Sequence, residues 1–353
     1  MRHLGVNQRL EATIKALLAC GFGGALCQVM HTPLPWMIGP LFAMAVFKFR
    51  GVELAAPKGG REVGQVIIAS ALGLYFTPLV AREVLANWPL LVAAAVFATL
   101  LSYGGALFLW RFAGVDRTTA FFSSVPGGAA EMSNLGERYG AKTDRIAIAQ
   151  SLRIVFVVVL VPIAMTLLGT HGSDAYLPSV HPVDFKGLSL LLVCGALGGM
   201  TMRILRMPNP WFLGALAVVT SLTVLEIHLS SMPSVLSNVA QLLIGCSLGS
   251  RFDEKFLKRA PHFVFIVSVS ILGAIFLSAL FGAALASLGA LSLPTMILAT
   301  APGGVAEMCI TAKVLQLGVP LVTAAQVTRV IILVTTTGPL FRLARALACR
   351  LGV

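Results

Sequence analysis

Charge and long polar stretches are what this sequence has least of. Only 11% of its 353 residues are Asp, Glu, Lys or Arg, and the longest polar interruptions, roughly 170–186 and 50–62, are no longer than loops. A separate soluble domain is therefore excluded. Apolar segments long enough to cross a hydrocarbon layer of ~30 Å recur from one end to the other. With 57% apolar residues and a mean hydropathy of +0.90, the composition predicts an all-α polytopic membrane protein.

The sequence also lacks the residue clusters that metal and redox centres require. The six cysteines lie in or beside apolar segments without a CxxC pair, and no two of the six histidines have the i, i+4 spacing of helical metal ligands. His171, Asp174, His181 and Asp184 share one loop, where a solvated segment is favoured over a weak metal site. We expect no metal, no other cofactor and no enzymatic activity.

Acidic residues are outnumbered, with 14 Asp and Glu against 26 Lys and Arg and a net charge of +12. A basic protein invites a nucleic-acid interpretation. Here, however, the Lys and Arg residues are scattered between apolar segments, which is typical of membrane topology control. The expected partner is the lipid bilayer, and no nucleic acid is expected.

An internal duplication organises the chain. The stretch Val125-Pro-Gly-Gly-Ala-Ala-Glu-Met132 recurs 176 residues later as Ala301-Pro-Gly-Gly-Val-Ala-Glu-Met308. Matched positions before and after the two copies are Gln65 with Gln241, Gln150 with Gln326, and Arg153 with Arg329. The sequence therefore predicts two membrane repeats, 12–169 and 188–345, each with one helix-breaking, acid-bearing element.

Each repeat contains six apolar segments, and Pro-Gly-Gly interrupts the fifth one. Proline removes a backbone donor and glycine adds flexibility, so this fifth element cannot be a continuous helix. The predicted segments are 12–30, 34–49, 62–76, 87–112, 118–135 and 146–169 in the first repeat, and 188–205, 211–229, 235–250, 262–288, 295–311 and 321–341 in the second.

The distribution of Lys and Arg indicates how the fifth elements lie. If all twelve segments crossed the membrane, the loop charges would divide 13 to 11 between the two sides. If each Pro-Gly-Gly element enters and leaves on one side, they divide 21 to 3, the bias expected for cytoplasmic loops. Five crossings per repeat then insert the second repeat upside down. We expect inverted repeats with a site near the bilayer midplane and both termini in the cytoplasm of a bacterial cell.

The Pro-Gly-Gly loops are the first candidates for this site. Non-helical backbone in a membrane must be buried in protein or line a cavity. The amides that follow Gly128 and Gly304 would form helix N-termini suited to an anion or carboxylate. The alternative is that the glycines merely allow close helix packing.

Glu131 and Glu307 fall in the first turn after these loops. Acids within a membrane are expected to carry protons, bind cations or pair with a buried base, although each could simply cap its own helix. Ser133 and Asn134 follow the first acid, whereas Cys309 and Ile310 follow the second. We therefore expect Glu307 to be the better proton carrier and Glu131 to remain ionised.

Arg153 and Arg329 each follow a glutamine by three residues and share a helix face with it. Each arginine could pair with a glutamate or bind an anionic substrate directly. Gln65 and Gln241 could line the same cavity or bond a neighbouring helix. The predicted substrate- or ion-binding residues are Pro126, Gly127, Gly128, Glu131, Gln150, Arg153, Pro302, Gly303, Gly304, Glu307, Gln326, Arg329, Gln65 and Gln241.

The paired P-G-G-x-x-E-M motifs with their downstream Q-x-x-R resemble the AbrB-type integral membrane family, over nearly the whole chain. That family is distinct from the soluble DNA-binding regulators of the same name. The resemblance implies a duplicated membrane domain and a link to control of gene expression. The family also carries an ammonia monooxygenase label, which no copper or iron ligand cluster in these segments supports.

Two functions remain open from the sequence. The leading interpretation is a secondary transporter in the bacterial inner membrane for an unknown small molecule or ion, with a midplane site formed by the two Pro-Gly-Gly elements. The alternative is a membrane-embedded regulator or sensor that affects gene expression without transport. Either is compatible with a homo-oligomer.

Overall fold

A computed structural model describes residues 6–127, 129–170, 182–252, 260–289 and 291–350. Within these ranges the chain forms fifteen helices and no strand, which confirms the predicted all-α class. The helices are α1 (Val6–Val29), α2 (Pro35–Phe49), α3 (Gly60–Gly73), α4 (Pro78–Ala86), α5 (Trp88–Phe112), α6 (Arg117–Ser124), α7 (Ala129–Arg138), α8 (Thr143–Leu167), α9 (Phe185–Ile204), α10 (Pro210–Val224), α11 (Ser234–Gly249), α12 (Pro261–Gly289), α13 (Leu293–Thr300), α14 (Val305–Val314) and α15 (Val319–Arg350).

Helices of two lengths build the membrane region. Among the described residues, α1, α5, α8, α9 and α12 are long and apolar enough to cross a membrane. Helices α2, α10 and α11 are apolar but only 15 or 16 residues long. At 1.5 Å per residue they span about 23 Å, less than the hydrocarbon thickness of ~30 Å. The architecture is that of a polytopic helical membrane protein.

The third segment of the first repeat differs from the prediction. One helix was expected over 62–76, but α3 ends at Gly73 and α4 begins at Pro78 after a bend of 92°. Proline suits the first turn of a helix, and the Thr77 hydroxyl accepts a hydrogen bond from the Val80 amide, so the two residues start a new helix. The bent pair has the length and composition of a broken span or a re-entrant loop.

Matching glycine contacts in the two repeats bring neighbouring helices together. A Cβ at Gly39 of α2 would collide with the backbone of Gly23 in α1, and a Cβ at Gly214 of α10 would collide with that of Gly198 in α9. Small residues of this kind let helix backbones approach closely within a membrane. The duplicated sequence therefore builds the same helix pair twice.

The two repeats are inverted relative to each other. Gly245 packs against Met37 and Gly249 against Leu41, so α11 runs parallel to α2. The loop 225–233 joins α10 to α11, so α10 ends on the side where α11 begins. Helix α2 therefore begins on the side where its repeat equivalent, α10, ends.

Contacts between loops define the two ends of the bundle. At the end that we call the inner end, where α2, α5 and α11 finish, the predicted cytoplasmic loops of both repeats meet. At the opposite, outer end, the amide of Asp184 donates to the Ser230 hydroxyl at 3.2 Å. The inner contacts are Lys48 Nζ to Ser250 O at 2.6 Å, His262 Nε2 to Phe112 O at 3.0 Å, and the Arg145 guanidinium over the Phe263 ring at 5.2 Å.

Candidate functional site

Each Pro-Gly-Gly element forms a hairpin of two short helices. In the first hairpin (residues 117–138), the Lys142 amide beyond α7 donates to the Thr119 hydroxyl in α6 at 2.9 Å. In the second hairpin (residues 293–314), the Gly318 amide beyond α14 donates to the equivalent hydroxyl of Thr295 at 3.2 Å. The start and finish of each hairpin therefore lie on the same side, as the charge distribution predicts for a re-entrant element.

The tip of the first hairpin is held by the first Gln-x-x-Arg pair. From α8, Gln150 Nε2 donates to the carbonyl oxygens of Phe122 at 2.9 Å and Val125 at 2.7 Å. Arg153 reaches the carbonyls of Val125 and Gly127 at 3.4 and 3.3 Å. These acceptors lie where α6 ends and the Pro-Gly-Gly loop begins.

The tip of the second hairpin is held in the same way from α15. Arg329 donates to the carbonyls of Ala301 at 2.7 Å and Gly303 at 2.6 Å. Gln326 Nε2 donates to three carbonyls around the end of α13, those of Leu298, Ala299 and Ala301, at 3.0, 3.3 and 3.2 Å.

These bonds have a common physical cause. The last carbonyls of a helix have no partner within it and carry partial negative charge, so a buried helix end needs donors. In α6 and α13 the helix stops inside the protein, where water cannot supply them. A buried arginine with a neighbouring glutamine therefore stabilises each interrupted helix. Among the described side chains, neither arginine lies within ion-pair distance of a carboxylate.

Glu307 lies at the start of α14, in the position of a residue that caps its own helix. Its side chain folds back over Gly304, the residue that precedes the helix, so that a Cβ at Gly304 would collide with the carboxylate. The residue is only 4% exposed. Its carboxylate also lies within electrostatic range of Arg153 and Arg329. Proton carriage by Glu307 stays a prediction.

The matching part of the first hairpin is described less completely. Gly128 and the side chain of Glu131 lie outside the described residues, although α7 begins at Ala129 as expected. The predicted difference between Glu131 and Glu307 therefore stays a prediction. The loop that contains His171, Asp174 and His181 is likewise not described.

A cavity of about 360 Å³ lies between the two hairpins and the long helices α5 and α12. Pro126 of the first hairpin and Pro302 of the second both line it, and so does the side chain of Arg153. The remaining walls are mostly apolar. They come from the half of α5 and the half of α12 nearer the inner end: Ala98, Leu101, Ser102, Gly104, Gly105, Phe108, Leu109, Val267, Val269, Ser270, Ile271, Gly273, Ala274 and Leu277, together with Ser123, Ser124 and Ala149.

The two outlying glutamines do not line this cavity. Gln65 of α3 donates to the side chain of Asn209, which precedes α10, at 2.6 Å. Gln241 of α11 is buried, and its Oε1 has no hydrogen-bond partner among the described atoms. The structure thus places Gln65 in a contact between neighbouring helices, the second of its two predicted roles.

The sequence interpretation missed the serines of the cavity. The Ser124 hydroxyl donates to the carbonyl of Ser102, and the Thr300 hydroxyl donates to that of Ser278, its counterpart in the other repeat. These bonds tie each hairpin to the long helix that precedes it. The signal was present, because both pairs recur with the same offset of 176 residues.

An aromatic pair closes the space between α5 and α12 on the outer side of the cavity. The rings of Phe97 and Phe281 stack with centroids 4.0 Å apart and an angle of 7°. Their counterparts by the repeat offset are Gly273 and Gly105, which both line the cavity. The same two helices are thus in aromatic contact on the outer side of the cavity, and they meet again at the inner end through His262 and Phe112.

No group of three or more His, Cys, Asp or Glu residues able to hold a metal ion is found within the described ranges.

Comparison with known proteins identifies the family of the chain. The family model for "Transition state regulatory protein AbrB" matches residues 36–345. The protein YhjN of Bacillus subtilis (strain 168), named as uncharacterized, is 27% identical over 353 residues, covering 91% of this chain and 90% of its own length. "Putative regulator AbrB" of Escherichia coli (strain K12) is 26% identical over 335 residues, covering 92% of each chain. The chain belongs to the AbrB family.

Proposed function

We propose that this protein is a secondary transporter of the bacterial inner membrane, with its substrate site in the cavity between the two hairpins. The observation that carries the proposal is the contribution of Pro126 and Pro302, from oppositely inserted repeats, to one cavity wall. In inverted-repeat transporters, broken elements meet in this way around a central site. The positive-inside distribution assigns the inner end, and both termini, to the cytoplasm.

Alternating access requires a cavity that is closed on one side at a time. The stack of Phe97 on Phe281 supports such an arrangement, because it closes the outer half of the path between α5 and α12. The inner half has glycine at both equivalent positions, Gly105 and Gly273. An outward-facing state would require the two rings to separate.

A membrane-embedded regulator is the second candidate, and the name of the Escherichia coli relative favours it. A regulator could bind its ligand in the same cavity without moving it across the membrane. The two functions differ in one observable property. A transporter exposes the cavity to both sides in turn, whereas a receptor needs access from only one side.

Accessibility of a cavity residue tests the transport proposal without knowledge of the substrate. Ser270 lines the cavity, and Ser270→Cys adds little volume. In a variant whose accessible native cysteines are replaced by serine, a membrane-impermeant thiol reagent is added to right-side-out and to inverted vesicles. We expect reaction from both sides, faster from the inner end. Reaction from one side only would contradict alternating access and favour the regulator.

A further inference from the structure

We propose that the cavity binds an organic monocarboxylate with an apolar body, which the guanidinium of Arg153 recognises. The inference deepens the proposed function and rests on it, because the ligand is taken to be the transported solute. Three properties of the cavity support this class of ligand: its unpartnered donors, the lack of acidic residues among its described lining residues, and its apolar walls of limited volume.

Two donors of the cavity wall have no partner among the described atoms. Arg153 is 8% exposed, and its Nε is buried without a hydrogen bond. The neighbouring Ser123 hydroxyl is also buried without one. Buried donors without partners are costly, so a ligand that supplies acceptor oxygens would be favoured here. A carboxylate offers two oxygens and matches the geometry of a guanidinium.

Arg153 is also held less firmly than its repeat counterpart. Its bonds to the first hairpin measure 3.3 and 3.4 Å, longer than the usual range for N–H···O bonds. Arg329 makes the equivalent bonds at 2.6 and 2.7 Å and does not line the cavity. The terminal nitrogens of the first arginine are therefore held less closely within the protein, while Nε is without a described partner in both arginines.

The charge of the wall favours an anion over a cation. Arg153 is the one ionisable residue among the described residues that line the cavity. A guanidinium in an apolar environment is strongly destabilised unless an anion or a dipole faces it. A cationic ligand would be repelled by Arg153, whereas a monoanion would be attracted to it.

Volume and wall composition limit the rest of the ligand. One molecule of liquid water, which has one non-hydrogen atom, occupies roughly 30 Å³. At this volume per non-hydrogen atom, a ligand that fills the cavity has about twelve of them. Phe108, Ile271 and Leu277 offer apolar surface beyond the arginine. Gly104 and Val269 lie at the exposed edge between α5 and α12, so the apolar part can approach along the helix surface that faces lipid. An aromatic or medium-chain acid satisfies these limits.

Benzoate is a suitable probe because it is water-soluble and has nine non-hydrogen atoms, fewer than the roughly twelve that the cavity holds. Labelled benzoate is bound to the purified full-length protein in nanodiscs, with octanoate, benzyl alcohol and benzylamine as competitors. We expect octanoate to compete and the alcohol and the amine to compete at least tenfold more weakly. Equal competition by benzyl alcohol, stronger competition by benzylamine, or no specific benzoate binding would overturn the inference.

Two variants connect binding to the cavity. Gly273→Leu projects a side chain into open space at the cavity wall, since a Cβ there meets nothing within 4 Å, and should weaken benzoate binding at least tenfold. Gly21→Leu is the matched control on α1, where a Cβ is equally unhindered, and should leave binding unchanged. Arg153→Gln should also abolish binding. If that variant does not fold, Gly273→Leu alone decides, and unchanged binding in it would overturn the inference.

The two proposals can fail separately. Benzoate binding together with one-sided labelling of Ser270→Cys would retain the carboxylate site and reject transport. Two-sided labelling without benzoate binding would retain transport and reject the carboxylate ligand. Benzoate uptake into proteoliposomes would support both proposals if Gly273→Leu abolishes it and Gly21→Leu leaves it unchanged.

Discussion

Arg329 donates from both terminal guanidinium nitrogens to the buried end of α13. Its replacement by glutamine would leave the carbonyls of Ala301 and Gly303 without these charge-assisted bonds. We expect Arg329→Gln to lower the free energy of unfolding by about 2–4 kcal/mol. Reversible unfolding in mixed micelles measures the change. Arg82→Gln, on an exposed position of α4, is the control and should change it by less than about 0.5 kcal/mol. Similar losses in the two variants would show that the helix-end bonds contribute little.

Asp116 stabilises the start of the first hairpin at the inner end, outside the membrane-spanning helices. Its carboxylate accepts hydrogen bonds from the Thr119 amide at 2.8 Å and the Thr119 hydroxyl at 2.6 Å. Partial burial by itself would raise the pKa of Asp116. The bonds from Thr119 and the nearby charge of Lys142 outweigh burial and hold the pKa below its ordinary value of 3.8.

This lowered pKa predicts an acid-dependent stability. A carboxylate with a depressed folded-state pKa stabilises the protein above the unfolded-state value and loses this effect as pH falls through the folded-state value. The difference in stability between wild type and Asp116→Asn should therefore be constant above about pH 5 and shrink below 3.8. Thermal unfolding in a nonionic detergent from pH 3 to 7 measures it. A difference that is independent of pH, or that grows on acidification, would contradict the assignment.

At the scale of elements, the stacked rings of Phe97 and Phe281 are the contact whose opening transport would require. Phe97→Ala should remove the stack and raise the rate at which an impermeant thiol reagent labels Ser270→Cys from the outer side, by at least threefold. Phe265→Ala is the matched control, because this ring of α12 is 64% exposed and lies toward the inner end. An unchanged outer labelling rate in Phe97→Ala would mean that another contact closes the path.

The hairpins were predictable from the sequence, whereas the role of their arginines was not. Pro-Gly-Gly breaks a helix wherever it occurs, and the loop charges show the bias expected for cytoplasmic loops only when the broken element returns to its own side. The spacing of Gln150 and Arg153 placed both on one helix face but did not identify their partners. Those partners are backbone carbonyls of another helix, which are invisible in a pattern of side chains. The same spacing would suit an ion pair or a bound anion.

Some information in the sequence was overlooked. Aligning the repeats pairs Phe97 with Gly273 and Phe281 with Gly105. This exchange of a large ring for no side chain marks where the two-fold pattern fails, and it coincides with the outer edge of the cavity. The break after α3 also had a local signal in Thr77 and Pro78. Packing partners such as Gly39 and Gly23 required the structure.

At the scale of the whole molecule, the structure shows which loops share a side, and the charge distribution predicts which side is cytoplasmic. The side chain of Lys48 joins the end of α2 to the end of α11, and His262 joins the start of α12 to the end of α5. Moving one of these loops across the membrane would move the others with it. One labelled position at each end therefore tests the complete topology.

Glu137 follows the first hairpin near the inner end, and Lys186 begins α9 at the outer end; both are exposed. In the variant whose accessible native cysteines are replaced by serine, we expect Glu137→Cys to react with an impermeant thiol reagent only in inverted vesicles and Lys186→Cys only in intact cells. This orientation places 21 of the 24 loop Lys and Arg residues in the cytoplasm. The opposite pattern would retain the fold and reverse its orientation. Arg117→Cys, at the exposed start of the first hairpin, should react from the same side as Glu137→Cys. Reaction of these two positions from opposite sides would contradict the re-entrant hairpin itself, since an element that crossed the membrane would separate them.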